Sequence, residues 1–491
     1  MPGFAVTTFG CQMNQHDSER MEEVLKSGGA TSVLPDDADV VILNTCSVRE
    51  KAEQKLRSEV GRWAKVKRDR PDLILVVAGC MAQQEGRKIL TRMPAVDIVV
   101  GPDNIAELPE LLAELRLGGP PMVRTQFDLD APRFLTAPSI ASGRPTAFIT
   151  TMKGCNERCT FCVVPNTRGP ERYRASAEIL AEIAELVSRG VREVTLLGQT
   201  VNSYRDPLSA LARAPEANPD DPDESEFAAL LRAIVEHVPD LSRLRYTSPH
   251  PRHFTASLIA AHRELSQMPR HVHMPVQSGS DRVLKRMSRR HKREEYTARL
   301  ARLRAAVPDV TISTDLIVGF PGETEEDFLE TLSLIEEVGF VGVYGFKYST
   351  RPNTPALRLG DDVPESEKAT RLARVFEVSE RLVQEHLASL VGVTLRVLVE
   401  GPSKSREENA TGRSERNEIV HIEGAALDSS AKVGSEPGAD ALARRGEIVA
   451  VEVVEAYKHS LLGRLTAEER GRTPVLTPPK PKRMLPLLNA E

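Results

Sequence analysis

The sequence predicts an α/β protein with a parallel-sheet domain, a partial (βα)6 barrel and a small C-terminal β-rich unit. Short apolar runs alternate with amphipathic helical patterns along most of the chain, and this alternation is typical of parallel sheets. The end of the chain is rich in proline and poor in apolar runs, which favours disorder. We therefore predict domains at 1–125, 146–387 and 390–465, a linker at 126–145 and a disordered tail at 466–491.

Composition excludes several classes of protein. Hydrophobic residues make up 40% of the 491 residues and charged residues 27%, which excludes global disorder. The net charge of −5 excludes a generally basic surface but leaves room for a local basic groove. The chain contains no apolar run of the length that spans a membrane and no secretory signal pattern, so we expect a cytoplasmic protein with reduced cysteines.

Three of the six cysteines end apolar runs in the first domain. Cys11, Cys46 and Cys80 follow the predicted strands at 4–11, 40–46 and 73–80. Because parallel strands present their carboxyl ends at one edge of the sheet, the three thiols should converge there. The alternative is three core cysteines, since free cysteine is often buried.

The second unit contains six predicted strands with helical patterns between them. The strands are at 146–152, 192–198, 243–248, 271–277, 310–320 and 341–349. Six strand–helix units predict a partial barrel, whose functional loops follow the carboxyl ends of the strands. The Pro- and Asp-rich stretch at 206–226 is predicted to be a surface insertion.

The sharpest chemical signal is a C-x-x-x-C-x-x-C run directly after the first strand of this barrel. Cys155, Cys159 and Cys162 supply three closely spaced thiols, which suit one face of an iron–sulfur cube. A structural zinc site would normally need a fourth ligand. Three cysteines packed on a helix are the alternative, but Gly154 and Pro165 favour a loop.

This run, in this place, resembles the radical S-adenosylmethionine superfamily with its TIM-like barrel. The resemblance implies that the three cysteines hold a [4Fe–4S] cluster whose fourth iron binds S-adenosylmethionine. Phe161 matches the aromatic position that the superfamily usually has before the last cysteine. The implied chemistry is reductive cleavage of the sulfonium and release of a radical inside a water-excluding barrel.

The resemblance extends over about residues 3–465 to the radical S-adenosylmethionine methylthiotransferases. The stretches TFGCQMNQHDSE, NTCSVREKAEQK and GCMAQQEG resemble the family's N-terminal motifs, and MPVQSGSDRVLKRMSRRH and DLIVGFPGETEEDF resemble its barrel motifs. The family likeness implies a second [4Fe–4S] cluster at Cys11, Cys46 and Cys80. It also implies that the C-terminal unit is a TRAM-like RNA-binding β-barrel.

The segment at 161–169 resembles the subgroup that adds a methylthio group to carbon 2 of N(6)-dimethylallyl (isopentenyl) adenosine next to the tRNA anticodon. Val163, Val164 and Pro165 would then line an apolar pocket for the isopentenyl group. One alternative is a methylthiotransferase acting on threonylcarbamoyladenosine in tRNA or on a ribosomal-protein aspartate. A second, of another class, is a non-catalytic RNA-binding protein with structural zinc.

Three polar residues at strand ends are candidates for contacts with S-adenosylmethionine. Gln199 and Asn202 follow the second barrel strand, where related barrels contact the methionine amino group, and a polar helix cap is the alternative. Asp315 on the fifth strand is a candidate for the ribose hydroxyls, with a structural carboxylate as its alternative. The reaction needs no acid–base pair if the cofactor radical abstracts hydrogen, so we predict no catalytic side chain.

Two basic clusters, at 168–174 and 285–293, follow barrel strands and would suit the phosphates of a tRNA anticodon stem-loop. Solvated faces are the alternative for both. In the C-terminal unit Arg413, Arg416, Lys458 and His459 are weaker candidates for RNA contacts. The resemblance also implies an electron donor such as a flavodoxin or ferredoxin, and we expect a monomer.

Overall fold

The computed structural model describes residues 2–47, 50–130, 132–137, 143–208, 224–403, 409–423 and 444–472. Most of the insertion predicted at 206–226 and of the tail predicted at 466–491 lies outside these residues. Within them, no helix is long and apolar enough to cross a membrane.

The N-terminal domain is a six-stranded parallel sheet with helices on both faces. Its strands are β1 (Gly3–Phe9), β2 (Thr31–Ser32), β3 (Val40–Thr45), β4 (Ile74–Gly79), β5 (Ile98–Val100) and β6 (Met122–Arg124). Its helices are α1 (Gln12–Ser27), α2 (Glu50–Asp69), α3 (Cys80–Glu85), α4 (Arg87–Arg92) and α5 (Leu108–Arg116). The strand order β2-β1-β3-β4-β5-β6 makes the three strands that precede the cysteines neighbours.

Separate apolar cores cover the two faces of this sheet. Phe4 and Met21 belong to the core on one face, and Leu43 and Trp63 belong to the core on the other. Every residue of β3 and β4 is buried, as expected for central strands with helices on both sides. The strand ends are therefore held rigidly, and the cysteines that follow them start from fixed positions.

The second domain contains all six predicted strands. Its strands are β7 (Thr146–Thr150), β8 (Met152–Lys153), β9 (Arg172–Tyr173), β10 (Glu193–Leu197), β11 (Arg243–Tyr246), β12 (His271–His273), β13 (Thr311–Val318) and β14 (Gly342–Lys347). Its helices are α6 (Val164–Thr167), α7 (Ser176–Ser188), α8 (Glu226–His237), α9 (Ala256–Glu264), α10 (Asp281–Arg286), α11 (Arg293–Ala306), α12 (Glu325–Val338) and α13 (Glu365–Ala388).

The six barrel strands form two parallel three-stranded sheets, β11-β10-β7 and β12-β13-β14. Strands β8 and β9 form a separate antiparallel pair that brackets the cysteine run. A single apolar core joins both sheets to the surrounding helices, because Ile149, Leu244, Val272 and Leu316 all belong to it. The predicted partial barrel is thus confirmed, as two halves around one core.

The C-terminal unit is a closed five-stranded barrel, which confirms the predicted β-barrel. Its strands are β15 (Thr394–Pro402), β16 (Ala410–Ser414), β17 (Ile419–Glu423), β18 (Ile448–Ala456) and β19 (Leu461–Leu465), in the order β15-β16-β17-β19-β18. The prediction of disorder from residue 466 is wrong for the first residues of the tail. A short helix, α14 (Ala467–Gly471), begins there because the Thr466 side chain accepts a hydrogen bond from the Glu469 N–H.

The C-terminal barrel closes the amino-terminal mouth of the larger barrel. Arg243, the first residue of β11, donates a 3.1 Å hydrogen bond to the Arg413 carbonyl, and Arg245 donates a 2.9 Å bond to the Ser414 carbonyl. Both arginines also pair with the buried Glu193, at 3.1 and 3.0 Å. The cysteine loop lies at the opposite, carboxyl end of the strands.

Buried neutral histidines give the fold a specific acid sensitivity. Burial lowers the pKa of His262 to about 4, and its Nε2 lies 2.7 Å from the Tyr246 hydroxyl. Between about pH 6.5 and 4 the unfolded chain binds a proton there that the folded chain does not. Stability is therefore lost as the pH falls through this window, by up to about 1.4 kcal/mol per pH unit.

We predict that His262→Gln flattens the dependence of thermal stability on pH between 6.5 and 4. The measurement is the unfolding midpoint of the variant and the parent protein across that range. The matched control is His237→Gln at the exposed end of α8, which should keep the parent slope. Equal slopes for His262→Gln and the parent would contradict the prediction.

Candidate functional site

The first cysteine set lies on a loop whose backbone is tightly constrained. The Cys155 N–H donates to the Gly169 carbonyl at 3.1 Å, and the Cys162 N–H donates to the Cys159 carbonyl at 3.1 Å. Gly154, with φ of +78°, makes this approach possible, because a Cβ there would lie 1.9 Å from the Pro170 carbonyl oxygen. Residues 155–162 are not helical, so the alternative of packed helix cysteines is wrong.

Polar groups from other loops of the barrel contact the thiols of this loop. The Thr200 hydroxyl lies 3.0 Å from Cys155 Sγ, and Arg289 Nη1 lies 3.5 Å from Cys159 Sγ. Burial raises the pKa of the Cys155 thiol to about 11 and that of Cys162 to about 12. Without a metal, Cys155 and Cys162 therefore hold their protons at neutral pH, and a metal would have to displace them.

Unpartnered polar atoms beside this loop indicate room for a polar ligand. Within the described residues, both amide atoms of Gln199 are buried without a hydrogen-bond partner, as is Arg289 Nε. Buried polar groups are rarely left unpaired in folded proteins, so each such group needs an explanation. A bound ligand with donors and acceptors would supply the missing partners.

The other predicted contacts with S-adenosylmethionine are placed differently. The Asn202 amide bonds the backbone of His250 on both sides, at 3.0 Å to the carbonyl and 2.8 Å from the N–H. Its geometry thus matches a structural role. Asp315 is half-buried, with its carboxylate 3.5 Å from His273 Nε2, and Phe161 packs against the small apolar cluster that contains Phe320.

The second cysteine set converges at one edge of the N-terminal sheet, as predicted. Cys11, Cys46 and Cys80 directly follow the neighbouring strands or precede the next helix. A hydrogen bond with Cys46 lowers the pKa of the exposed Cys11 thiol to about 6, while burial raises the pKa of Cys80. This asymmetry favours one thiolate in the metal-free site.

A network of hydrogen bonds between polar side chains lies beside this second cysteine set. Asn14 Nδ2 donates to Asn44 Oδ1 at 3.2 Å, and Asn44 Nδ2 donates to the Asn14 carbonyl at 2.7 Å. The hydroxyls of Thr45 and Ser47, on either side of Cys46, are buried and have no partner within the described residues. Gly79 permits the close packing, since a Cβ there would lie 2.2 Å from Asn44 Oδ1.

The two thiol sets fit iron–sulfur clusters better than structural zinc. Zinc gathers four ligands around one ion. Among the described residues, no three His, Cys, Asp or Glu side chains come close enough to hold a single ion. The irons of a [4Fe–4S] cluster are held by separate thiolates, and two sets of three soft ligands match that demand.

The basic cluster at 168–174 joins the two sites and does not face solvent. Arg168 pairs with Asp17 of α1 at 2.6 Å, and Arg172 pairs with Asp103 at 2.6 Å. Arg174 pairs with the buried Glu182, which also accepts a 3.1 Å bond from Arg20 of α1. All three arginines of the cluster are buried, so the interpretation of this run as a tRNA-facing rim is wrong.

Some of the other residues predicted to contact RNA are exposed, and others form ion pairs within the protein. In the 285–293 cluster, Arg289 is buried at the cysteine loop, whereas Lys285, Arg290 and Lys292 are exposed. In the C-terminal barrel, three of the four candidates form ion pairs with glutamates. Their ion pairs are Arg413 with Glu400 at 3.5 Å, Arg416 with Glu418 at 3.4 Å and Lys458 with Glu380 at 3.0 Å, while His459 is exposed.

Three residues near the thiols were not singled out from the sequence. Thr200 and Arg289 contact the first set, and Asp17 fixes Arg168 beside the second. Thr200 directly follows Gln199, and Asp17 lies in the stretch TFGCQMNQHDSE, so proximity to these motifs was the available signal.

Comparison with known proteins agrees with this architecture. Residues 3–101 match the model of Uncharacterized protein family UPF0004, residues 149–335 match the Radical SAM superfamily, and residues 388–466 match the TRAM domain. The Radical SAM match confirms the predicted S-adenosylmethionine and [4Fe–4S] chemistry of the barrel.

Curated relatives extend the likeness to the full length. The tRNA-2-methylthio-N(6)-dimethylallyladenosine synthase of Sorangium cellulosum (strain So ce56) is 61% identical, with 100% of both chains covered. The chain belongs to the tRNA-2-methylthio-N(6)-dimethylallyladenosine synthase family. The member from Stutzerimonas stutzeri (strain A1501) is 42% identical over 94% of this chain and 98% of its own.

Among solved structures, the radical S-adenosylmethionine methyltransferase TsrM from Kitasatospora setae superimposes with a TM-score of 0.49 at 14% identity. The match covers 80% of this chain and 79% of that one.

We predict that Gly154→Ala disrupts the cysteine loop, because the added Cβ must displace the Pro170 carbonyl. Iron content after anaerobic reconstitution should fall by about half, since one of two four-iron clusters would be lost. The matched control is Gly190→Ala, which has φ of +101° but no atom within 4 Å of the added Cβ. That variant carries only backbone strain and should keep its iron. Full iron loading of Gly154→Ala would contradict the prediction.

Proposed function

We propose that this chain adds a methylthio group to carbon 2 of N(6)-dimethylallyladenosine next to the anticodon of tRNA, by radical S-adenosylmethionine chemistry. The observation that carries the proposal is the joining of two three-thiol sites by the segment that follows Cys162. The full-length relatives named for this product support it. The TRAM match at 388–466 supports tRNA as the substrate.

Cys155, Cys159 and Cys162 would hold the first cluster, and Cys11, Cys46 and Cys80 would hold the second. Three ligands leave one iron of a four-iron cluster without a protein ligand, so each site can accept a further group. When bound, the first cluster and S-adenosylmethionine supply the radical chemistry, and the second cluster supplies or carries the sulfur. The protein holds these groups and shields them from water.

The unpartnered amide of Gln199 is the best-placed group for the polar end of S-adenosylmethionine. Asp315 and Phe161 complete the proposed contacts, to the ribose hydroxyls and to the apolar part of the cofactor. Asn202 acts in our proposal by fixing the His250 backbone through its two hydrogen bonds. No described side chain is assigned an acid–base role.

The substrate base would enter beside α6. Val163 is buried, whereas Val164 and Pro165 are only half-buried and remain available to contact the isopentenyl group. Around the cysteine loop, Arg158, Arg252 and Arg290 are exposed and replace the buried 168–174 cluster as the phosphate-facing candidates.

We propose that each of the three domains has the role that the sequence predicts for it. Residues 1–125 hold the second cluster, residues 146–387 form the radical barrel, and residues 390–465 bind tRNA. A flavodoxin- or ferredoxin-class protein would supply the electrons, and the protein would work as a monomer in the cytoplasm.

The ligand sets can be separated by their iron content. The parent protein should bind about eight irons after anaerobic reconstitution, since two cubes hold four each. Changing Cys155, Cys159 and Cys162 to Ala should leave about four irons and abolish cleavage of S-adenosylmethionine. Changing Cys11, Cys46 and Cys80 to Ala should also leave about four, but spare that cleavage and stop sulfur insertion. Unchanged iron content in either triple variant would refute its ligand assignment.

Nucleoside mass spectrometry tests the substrate. Disrupting the gene should remove 2-methylthio-N(6)-dimethylallyladenosine from digested tRNA and let the unthiolated N(6)-dimethylallyladenosine accumulate. An apolar pocket discriminates by about 1–3 kcal/mol per missing carbon unit, so unprenylated tRNA should be a poor substrate. If the methylthio-dimethylallyl nucleoside persisted while a methylthio-threonylcarbamoyl nucleoside or a modified ribosomal aspartate vanished, the alternative substrates would be supported.

A further inference from the structure

Arg168 belongs to the barrel domain, but its side chain lies in the second thiol site. It follows α6, which packs against α3, the helix that begins with Cys80. Its side chain is 5% exposed and donates to both carboxylate oxygens of Asp17, at 3.4 and 2.6 Å. The positive charge of the guanidinium partly offsets the effect of burial on the pKa of the Cys80 thiol.

Arg168 is a buried cation beside these thiols. It lies close enough to affect both Cys11 and Cys80. The nearest opposing charge is Asp17, and burial keeps the neighbouring His16 neutral by lowering its pKa to about 3. The side chains of Asn14 and Asn44 that complete the site are uncharged. Within the described residues, the Arg168–Asp17 ion pair is thus a buried pair of charges beside this thiol set.

We propose that Arg168 sets the reduction potential of the cluster held by Cys11, Cys46 and Cys80, an inference that rests on the proposed function. Reduction adds negative charge to a cluster that three thiolates already make anionic. A buried cation stabilises the reduced form, because charges interact strongly where water is excluded. Net charge and hydrogen bonds to the sulfurs are recognised determinants of cluster potentials.

The position of Arg168 also links the two sites mechanically. The next residue, Gly169, accepts the hydrogen bond from the Cys155 N–H, so one short segment fixes the first cysteine loop and supplies the charge to the second. The Arg168 carbonyl is itself held by a 2.6 Å bond from Arg172. The charge therefore reaches the second site only when the barrel loop is in place.

The test uses the full chain with Cys155, Cys159 and Cys162 changed to Ala, so that only the second cluster is reconstituted. Its reduction potential is measured by anaerobic spectroelectrochemistry. Adding Arg168→Gln should lower the reduction potential by about 59 mV. For a one-electron reduction, this corresponds to about a tenfold change in the equilibrium constant. Adding Asp17→Asn should shift it in the opposite direction, because Arg168 then loses its counter-charge. A merely structural role would not produce shifts of opposite sign.

Two further variants control the measurement. Lys153→Gln removes a cation that also pairs across the domain boundary, with Asp103 at 3.1 Å, and should leave the potential unchanged. Arg168→Lys keeps the charge and should restore most of the shift. If Arg168→Gln does not fold, the upward shift in Asp17→Asn alone carries the test. A reconstituted cluster with the same potential in all variants would overturn the inference and leave the proposed function standing. Failure of the background protein to bind any iron would overturn the ligand assignment, and the inference with it.

Discussion

Buried ion pairs between the segment at 168–174 and the N-terminal domain hold the two halves of the site together. Arg168 and Arg172 reach across the domain boundary to Asp17 and Asp103, and Glu182 reaches back to Arg20. A buried charge without its partner costs about 3–5 kcal/mol. A shifted docking of the domains would leave several such charges buried without partners, so these pairs favour one relative position of the two thiol sets.

In both domains, the carboxyl ends of parallel strands place the cysteines. In the N-terminal sheet the neighbouring strands β1, β3 and β4 deliver three cysteines to one edge. In the barrel the first strand leads to the loop with the other three. Glycines permit the close approaches in both places, Gly79 against Asn44 and Gly154 against Pro170. Each set alone could bind a cluster, but the arginine segment makes them one site.

The strands, the barrel and both thiol sets could be predicted because their signals are local. Apolar runs, strand-end cysteines and short motifs are visible within a few residues of each other. The burial of the arginines at 168–174 could not be predicted. A run of charged residues looks the same in the sequence whether its side chains face solvent or form buried ion pairs. Their partners are far away in the chain, at 151 residues for Asp17 and 69 for Asp103. The helix at the start of the tail depends on one capping residue, Thr466. The sequence did not reveal this helix, because the residues that follow it are rich in proline.

The two smaller domains together restrict how a macromolecular substrate can approach. The C-terminal barrel covers the amino-terminal mouth through Arg243 and Arg245, which both pair with Glu193. The N-terminal domain covers β7, where His16 Nε2 lies 2.9 Å from the Thr150 hydroxyl. On the opposite edge strand, β14, Tyr344 lies against His273 on the face away from the helices and stays 56% exposed. Single-stranded RNA bases stack on aromatic side chains of this kind. The edge strand β14 therefore offers an exposed aromatic surface of the kind on which an unstacked base can lie.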